Sequence, residues 1–267
     1  MQKHNKGIDC PIVEWRIPER ATGQHTKPHQ AKPQPYSIQF QDVYYSSDNG
    51  ILETDYVFLQ GNRLASRWEL LQHTGFTVIE TGFGTGLNFL CAARLWLQCA
   101  PKDAVLHFIS TEKYPLSLQE ITQALQCWPV LILLSTPLLT QYEALKTEYS
   151  VLLFDDRVRL TLLIGDAAES FTKIDTTADA WFLDGFSPAK NPDMWQATLF
   201  SQMARLSTNE STFATFTSAG NVRRGLQSAG FIMEKRPGFG KKREMLAGHF
   251  IGKDLFIPNA TENSHER

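Results

Sequence analysis

The sequence predicts an α/β fold, in which a mostly parallel sheet carries helices on both faces and an antiparallel hairpin at its end. Two observations support this fold class. Short apolar runs rich in β-branched and aromatic residues alternate with longer segments of helical periodicity along most of the chain. The last two of these runs, 231–235 and 244–250, are joined by a turn at Gly238-Phe239-Gly240, which favours an antiparallel pair.

The individual elements follow from the same patterns. Strands are predicted at 76–79, 105–110, 159–164, 180–183 and 212–217, and a hairpin at 151–154 and 157–163 that turns at Asp155-Asp156. Helices are predicted around 65–71, at 87–100, after the capping box of Ser117 and Glu120, within 129–150, from Trp195 to Leu206, and from an Asn221 cap to Gly230.

The N-terminal part of the chain differs from this core. Residues 1–35 carry Pro, His, Gln and Lys with little periodicity, and we expect a loosely ordered lead-in. The alternating runs 37–40 and 43–45 predict a small β-hairpin. Its aromatic residues would either cover a ligand as a lid or pack against the sheet. The folded domain is expected to span 36–255, and 256–267 to be a tail or the start of a linker.

Composition narrows the class of protein further. The net charge of −2 and the 42% hydrophobic content are ordinary for a globular protein. The longest apolar run, 129–139, is about half the ~20 residues that a membrane span requires, and 1–11 lacks an apolar signal region. The four cysteines form no C-x-x-C pair, which predicts reduced thiols in the cytoplasm. His25 and His29 have a metal-ligand spacing but lie in a proline-containing stretch, so we expect no metal site.

The segment 181–195 gives the strongest indication of function. Its apolar strand ends at Asp184, and a loop of Gly, Ser and Pro leads to Asn191 and Pro192, which are typical of a helix start. In open α/β sheets, ligands bind at the carboxyl ends of the strands. Asp184 is therefore the candidate reactive acid. The alternative is an aspartate that only caps a turn.

A glycine turn follows the predicted strand 76–79. It reads Glu80-Thr81-Gly82-Phe83-Gly84-Thr85-Gly86, and strand, glycine turn and helix together allow backbone N–H groups to approach a ligand closely. The dinucleotide fingerprint requires a glycine at the sixth position counted from Gly82, where Leu87 stands. This excludes a nicotinamide dehydrogenase. An acid two residues before Gly-x-Gly-x-Gly instead resembles the turn of S-adenosylmethionine enzymes, with Glu80, Gly82, Gly84 and Gly86 as cofactor-binding residues.

Two more acids follow predicted strands. Glu112 lies just past 105–110, where a carboxylate accepts ribose hydroxyls in nucleotide-binding α/β folds. Asp166 follows 159–164 and is expected to accept from an adenine amino group, while the Ala167 N–H reaches a ring nitrogen. Each acid alone would be read as a surface charge. Together with Glu80 and Asp184 they place an acid at four successive strand ends, which predicts a nucleoside-binding edge.

Basic residues concentrate near the C-terminal hairpin. Between Asn221 and Glu244, seven basic residues stand against two acidic ones, a local charge of +5 in a chain of net charge −2. Lys241, Lys242 and Arg243 follow the Gly-Phe-Gly turn, which we expect to lie beyond the sheet edge, away from the glycine turn. A solvated face and a phosphate-contacting surface fit this pattern about equally.

Six segments carry a resemblance to a known family. The segments 44–62, 82–90, 108–116, 181–195, 214–220 and 238–246 resemble the methyltransferase part of the bacterial bifunctional MnmC family, and the similarity runs from about 36 to 250. It implies a class I Rossmann-like methyltransferase fold with a mostly parallel seven-stranded sheet, and S-adenosyl-L-methionine as cofactor. It also implies that the substrate is the primary amine of 5-aminomethyl-2-thiouridine at the wobble position of the tRNA anticodon loop.

The resemblance also implies roles for single residues. In the family, the acid of the Asp-Gly-Phe-x-Pro-x-Lys-Asn-Pro segment is regarded as essential, and Asp184 is that acid here. We expect it to orient the amine, with or without taking its proton. Phe186 is expected to flank the base and Lys190 to meet a phosphate. The longer relatives continue into a flavin-dependent oxidase that exposes the amine. The open alternatives are a methyltransferase of a small amine or of DNA, and a catalytically silent RNA-binding module.

Overall fold

The computed structural model describes residues 11–17, 33–45 and 50–252 of the 267-residue chain. Its strands are β1 (Val13–Arg16), β2 (Gln34–Ser37), β3 (Asp42–Val43), β4 (Gly75–Glu80), β5 (Val105–Glu112), β6 (Ser150–Leu153), β7 (Val158–Ile164), β8 (Ala178–Leu183), β9 (Ser207–Thr215), β10 (Phe231–Pro237) and β11 (Glu244–Phe250). Its α-helices are α1 (Gly50–Thr54), α2 (Leu64–Glu69), α3 (Leu87–Cys99), α4 (Leu118–Leu125), α5 (Ile132–Glu148), α6 (Ala167–Phe171), α7 (Ala197–Arg205) and α8 (Gly220–Ser228). A π-helical segment, Asp55–Gln60, continues α1, and 3₁₀ turns occupy Pro129–Leu131 and Pro192–Trp195.

The main sheet confirms the predicted fold class. Its strand order is β10-β11-β9-β8-β4-β5-β7-β6, and the five strands from β9 to β7 are parallel. The predicted C-terminal hairpin joins this sheet because β11 pairs antiparallel with β9. The sheet has eight strands rather than the expected seven. Strand β6 corresponds to the predicted strand 151–154, and it pairs antiparallel with β7 at the opposite edge through the predicted turn, where Asp155 and Asp156 adopt positive φ.

The order of the strands creates a crevice at the centre of the sheet. From β4 the chain continues outward through β5 to β7, and it then returns to the other side of β4 to form β8 and β9. Ligands in open α/β sheets bind at such a reversal, beyond the carboxyl ends of the strands. Glu80 ends β4, Glu112 ends β5, and Asp166 and Asp184 follow β7 and β8. The four acids therefore reach the same edge, as their sequence positions predicted.

Both faces of the sheet are covered by apolar side chains. The buried cluster on one face includes Trp68 of α2, Trp96 of α3 and Phe108 of β5. The cluster on the other face includes Phe171 of α6 and Phe200 of α7. Parallel strands need this double cover, because their side chains point alternately to both faces. The apolar pattern of the central strands thus follows from their position.

The N-terminal region forms a second, smaller sheet. Strands β1, β2 and β3 pair antiparallel in that order, so the expected hairpin is part of a three-stranded sheet. Strand β1 lies within the segment 1–35 that was expected to be a loosely ordered lead-in. The rest of that segment, including His25 and His29, lies largely outside the described residues, as does the predicted tail 256–267.

Helix starts and lengths differ in part from the sequence predictions. Asn191 precedes a 3₁₀ turn, with Pro192 at its first position, and the longer helix α7 begins only at Ala197. Helix α8 begins at Gly220, so Asn221 lies inside the helix and does not cap it. In the described part of the chain, no single helix has the length and apolar character to cross a membrane. The bent pair Leu118–Leu125 and Pro129–Glu148 meets the criteria of length and composition only when its two helices are taken together.

One buried amide connects the helical N-terminal segment to the sheet. The Asn62 Nδ2 donates to the Phe58 carbonyl (3.0 Å) and the Trp181 carbonyl (3.2 Å), and its Oδ1 accepts from the Thr212 hydroxyl (2.7 Å). Asn62 is fully buried, so water cannot replace these partners. This amide holds the π-helical segment against β8 and β9.

We expect Asn62→Ala to lower the free energy of unfolding by about 1–3 kcal/mol, because the substitution leaves buried partners without hydrogen bonds. Chemical denaturation measures the loss, and Asn209→Ala, at an exposed position on β9, is the control. Equal stabilities of the two variants would show that the amide does not anchor the segment.

Candidate active site

A cavity of about 970 Å³ opens at the carboxyl edge of the sheet. This volume is at the upper end of the range for ligand pockets. The walls come from the glycine turn, the loops after β5, β7 and β8, and the C-terminal hairpin. A further wall comes from Phe40, Tyr44 and Tyr45, which we call the N-terminal aromatic block. The sequence-predicted site residues that line the cavity are Gly82, Gly84, Glu112, Asp166, Ala167, Asp184, Phe186, Lys190, Lys241 and Lys242.

The glycine turn brings backbone into the cavity wall. Gly84 and Gly86 have φ of +53° and +73°, in the left-handed region that favours glycine. A Cβ on Gly86 would lie 2.9 Å from the Phe83 ring, so this glycine is required by the turn. In the described structure Gly86 lies at the N-terminus of α3 and outside the cavity lining.

Glu112 is held by the backbone around it. Its two carboxylate oxygens accept from the N–H groups of Gly84 and Tyr114, each at 2.9 Å. Burial raises the pKa of Glu112, and these backbone hydrogen bonds act against that rise. Each carboxylate oxygen has a second lone pair, which can accept a hydroxyl of a ligand. A carboxylate that accepts hydrogen bonds from hydroxyl groups fits a ribose, whose hydroxyls can donate to it.

Asp166 both lines the cavity and caps helix α6. Its Oδ1 accepts from the Ala168 N–H at 3.0 Å and caps α6, while Lys113 lies 3.6 Å from its Oδ2. Ala167 is the first residue of that helix. The adenine contacts predicted for Asp166 and Ala167 remain predictions, and the capping role is additional to them.

The two acids nearest the centre share one amide. The Asn88 Nδ2 donates to Asp184 Oδ2 at 2.6 Å and to Glu80 Oε1 at 2.9 Å. The Asn88 Oδ1 accepts from the Thr54 hydroxyl at 2.7 Å, which fixes the orientation of the amide. The Ser110 hydroxyl donates to the second Glu80 oxygen at 2.7 Å. Asp184 is thereby held at the cavity wall by a buried network.

Burial controls the protonation of both acids. Loss of water raises the pKa of Asp184 to about 6, against the hydrogen bonds from the Gly185 N–H and Asn88, which favour the ionised form. Loss of water likewise raises the pKa of Glu80 to about 8, and the neighbouring Asp184 charge contributes to the same direction. At neutral pH the arrangement therefore favours an ionised Asp184 beside a protonated Glu80.

Glu80 does not line the cavity, although the sequence predicted it as a cofactor-binding residue. It is fully buried beneath the wall and bonds Asn88 and Ser110. Asn88 and Thr54 were not among the residues predicted from the sequence. Asn88 follows Glu80 by eight residues, at the second position of α3. That position beside a glycine turn was the available signal, but only the fold brings Asp184 to the same amide.

The N-terminal aromatic block serves both of the roles that its sequence pattern allowed. Phe40 stacks on Phe186 with ring centroids 4.6 Å apart, and Tyr44 meets the edge of Phe186 at 5.2 Å. Phe40, Tyr44 and Tyr45 all line the cavity, and Tyr45 is also buried in the core. The block therefore covers the site and also packs against the fold.

Lys190 is engaged by the same block. Its Nζ lies 3.1 Å from Asp42 Oδ1 and donates to the Gln41 carbonyl at 2.6 Å. The phosphate contact expected for Lys190 remains a prediction, and it would require competition with Asp42.

The basic turn was expected to lie away from the glycine turn, and that expectation is wrong. Lys241 and Lys242 line the same cavity as Gly82 and Asp184, because the β10–β11 hairpin curls over α1 and the π-helical segment. The Tyr56 hydroxyl donates to the Pro237 carbonyl at 2.9 Å, and Lys242 Nζ lies 2.8 Å from Glu53 Oε1. Arg243 lines an adjoining cavity of about 560 Å³.

Among the described residues, no group of three or more His, Cys, Asp or Glu side chains is arranged to hold a metal ion. The acids of the site instead meet amide, hydroxyl and backbone donors. The donor set, the glycine turn and the cavity volume fit a nucleoside cofactor.

Comparison with known proteins agrees with this geometry. Residues 133–250 match a family model described as S-adenosyl-L-methionine-dependent methyltransferase. The tRNA 5-methylaminomethyl-2-thiouridine biosynthesis bifunctional protein MnmC of Methylobacillus flagellatus is 53% identical over 81% of this chain and 34% of its own length. The protein of the same name from Pseudomonas fluorescens is 52% identical over 88% of this chain and 36% of its own length. The chain thus spans about a third of the length of these relatives.

A solved structure supports the fold. MNMC2 from Aquifex aeolicus superposes with a TM-score of 0.65 and 20% sequence identity, over 90% of this chain and 71% of that one. The parallel sheet, the glycine turn at its switch point, the family match and the extended similarity to MnmC lead to one conclusion. The chain belongs to the S-adenosyl-L-methionine-dependent methyltransferases of class I fold and corresponds to the methyltransferase part of MnmC.

Proposed function

We propose that the chain methylates the primary amine of 5-aminomethyl-2-thiouridine at the tRNA wobble position, giving 5-methylaminomethyl-2-thiouridine. The observation that carries this proposal is Asp184, a half-buried carboxylate that Asn88 and the Gly185 N–H hold at the wall of the cavity. Its raised pKa of about 6 leaves it ionised at neutral pH. The relatives' names supply the chemical identity of the substrate.

The proposed reaction needs the amine without its extra proton. An alkyl amine has a pKa of about 10.4 and is mostly protonated at neutral pH. An ionised Asp184 accepts a hydrogen bond from this ammonium group, orients it and receives or passes on its proton. Asn88 and the Gly185 N–H hold the carboxylate while it does so. S-adenosyl-L-methionine supplies the methyl group when bound.

In the proposal, the remaining residues bind the two substrates. Glu112 accepts the ribose hydroxyls of the cofactor, and Gly82 and Gly84 give close backbone approach. Phe186 flanks the wobble base, which single-stranded loops expose at low cost. Lys241, Arg243 and Lys190 are the candidates for tRNA phosphates.

The relatives' name describes a bifunctional protein, and the chain spans one of its parts. We therefore include a flavin-dependent oxidase, as a further domain or a separate protein, as the proposed source of the aminomethyl group. A tRNA substrate would place the reaction in the cytoplasm.

The test is a methylation assay with labelled S-adenosyl-L-methionine and tRNA that carries 5-aminomethyl-2-thiouridine, followed by mass analysis of the nucleosides. The proposal expects one added methyl group on the wobble nucleoside. Transfer only to small amines or DNA would favour the first alternative, and cofactor binding without any transfer the silent RNA-binding module.

We expect Asp184→Ala to reduce methyl transfer by about 10²-fold or more, because it removes the acid that addresses the amine. Calorimetric affinity for S-adenosyl-L-methionine should change little. The wild-type rate should fall as pH drops below about 6, since protonation removes the carboxylate charge. Equal losses of cofactor affinity and of transfer would instead make Asp184 a cofactor ligand or a fold determinant.

Glu112→Ala should weaken cofactor binding at least tenfold, because hydrogen bonds to a charged group contribute about 1.5–3 kcal/mol each. The rate at saturating cofactor should change little. Glu143→Ala, at an exposed position on α5, is the control. An unchanged dissociation constant would remove Glu112 from the ribose site.

The double variant Lys241→Ala/Arg243→Ala should weaken tRNA binding and flatten its dependence on salt, by about 0.7–0.9 in the log–log slope for each lost phosphate contact. Lys242 is kept in this variant because of its ion pair with Glu53. Binding curves at two or more salt concentrations measure the slope. Unchanged slope and affinity would exclude this turn from the RNA site.

A further inference from the structure

A lysine ammonium is bound at the wall of the cavity. Lys242 Nζ lies 2.8 Å from Glu53 Oε1 and 4.1 Å from the centroid of the Phe216 ring. All three residues line the same cavity as Asp184. A carboxylate on one side and an aromatic face on the other are the two groups that recognise an alkylammonium ion in proteins. The wall therefore contains a formed ammonium site.

The two sides of this site differ in how firmly they are held. Glu53 lies on α1, whose next residue, Thr54, bonds Asn88, and Phe216 directly follows β9. Lys242 instead lies on the β10–β11 turn, two residues after Gly240. A Cβ placed on Gly240 would meet no atom within 4 Å, so this turn is open. The lysine side chain remains 44% exposed. The receptor groups are thus fixed by the fold, while the ammonium occupies the site from a long side chain on an open turn.

The site acts electrostatically on the proposed reactive acid. The charge of Glu53 raises the pKa of Asp184, and the charge of Lys242 lowers it. Removing the lysine would leave the Glu53 carboxylate without its ion-pair partner and would take away a charge that lowers the pKa of Asp184. A second cation is therefore favoured wherever the lysine moves out.

We propose that Glu53 and Phe216 form an ammonium subsite that Lys242 fills in the free enzyme and that the substrate's amine takes over on binding. This inference rests on the proposed function for the identity of that amine, and it deepens it by naming the residues that select an alkylammonium. Displacement of Lys242 brings the amine beside Asp184. A neutral group of the same size, such as a hydroxymethyl, cannot replace the lysine charge and is discriminated against.

Equilibrium binding tests the subsite without turnover. The ligands are two anticodon stem-loop RNAs that carry 5-aminomethyluridine or 5-hydroxymethyluridine at the wobble position, with S-adenosylhomocysteine present. We expect the wild type to prefer the amine by about fivefold, which corresponds to one partly exposed ion pair with a cation–π contact. Glu53→Gln should reduce this preference to the part that Asp184 supplies, while Lys242→Met should increase it, because the competing ammonium is gone.

The chain offers a matched control pair. Glu143 and Lys146 of α5 also form an ion pair at 2.8 Å, away from the cavity. Glu143→Gln and Lys146→Met should leave the preference unchanged. Melting temperatures of all four variants show whether folding is affected, and Phe216→Leu provides a second variant that weakens the site without removing a charge.

Two results would overturn the inference. If Lys242→Met weakens both RNAs equally, the lysine contacts phosphate and does not compete with the amine. If Glu53→Gln keeps the full wild-type preference for the amine, Glu53 is not its receptor. Methyl transfer to tRNA tests the proposed function separately. If the wild type transfers no methyl group but shows a Glu53-dependent preference for the amine, the proposed function is refuted and the subsite remains. If the wild type transfers the methyl group without that preference, only the subsite is refuted.

Discussion

The side-chain amide of Asn88 is the contact on which the candidate site depends. It joins the end of β4, the start of α3 and the loop after β8, because its Nδ2 donates to both Glu80 and Asp184. Two carboxylates that share one amide are close enough to repel each other when both are ionised. Burial and the Asp184 charge raise the pKa of Glu80 and so favour its protonated form, whereas the hydrogen bond from Asn88, whose amide is oriented by Thr54, helps to keep Asp184 ionised. A charged, reactive carboxylate can thus be kept in a half-buried position.

Around this fixed centre, the walls of the cavity come from segments outside the parallel sheet. The N-terminal aromatic block closes one side of the cavity through the Phe40–Phe186 stack, next to the Asp42–Lys190 ion pair. The C-terminal hairpin closes another through Lys242 and Glu53. Both closures combine an aromatic contact with an exposed ion pair, and exposed pairs contribute little stability. The rigid sheet therefore holds the acids, whereas the contacts that cover them can open at low cost.

This division separates the two binding tasks of the proposed reaction. Glu112 ends β5, the glycine turn follows β4, and both face the cavity from the sheet side. The basic and aromatic residues lie on the covering segments, where a large substrate can reach them. Asp184 lies where the two sets meet. A chain of net charge −2 can in this way present a basic surface next to an acidic crevice.

The sequence by itself determined the α/β fold, the positions of most strands along the chain and the arrival of four acids at one edge, because these follow from local apolar periodicity and from the rule that parallel strands end together. It also determined the family, through long segments of similarity around Asp184 and the glycine turn. The tertiary structure alone decided that Glu80 lies beneath the cavity, that Asn88 links it to Asp184 and that the turn of Lys242 reaches the site. These features depend on contacts between side chains that are far apart in the sequence and come together only when the loops fold over the sheet. A local sequence pattern cannot predict such contacts.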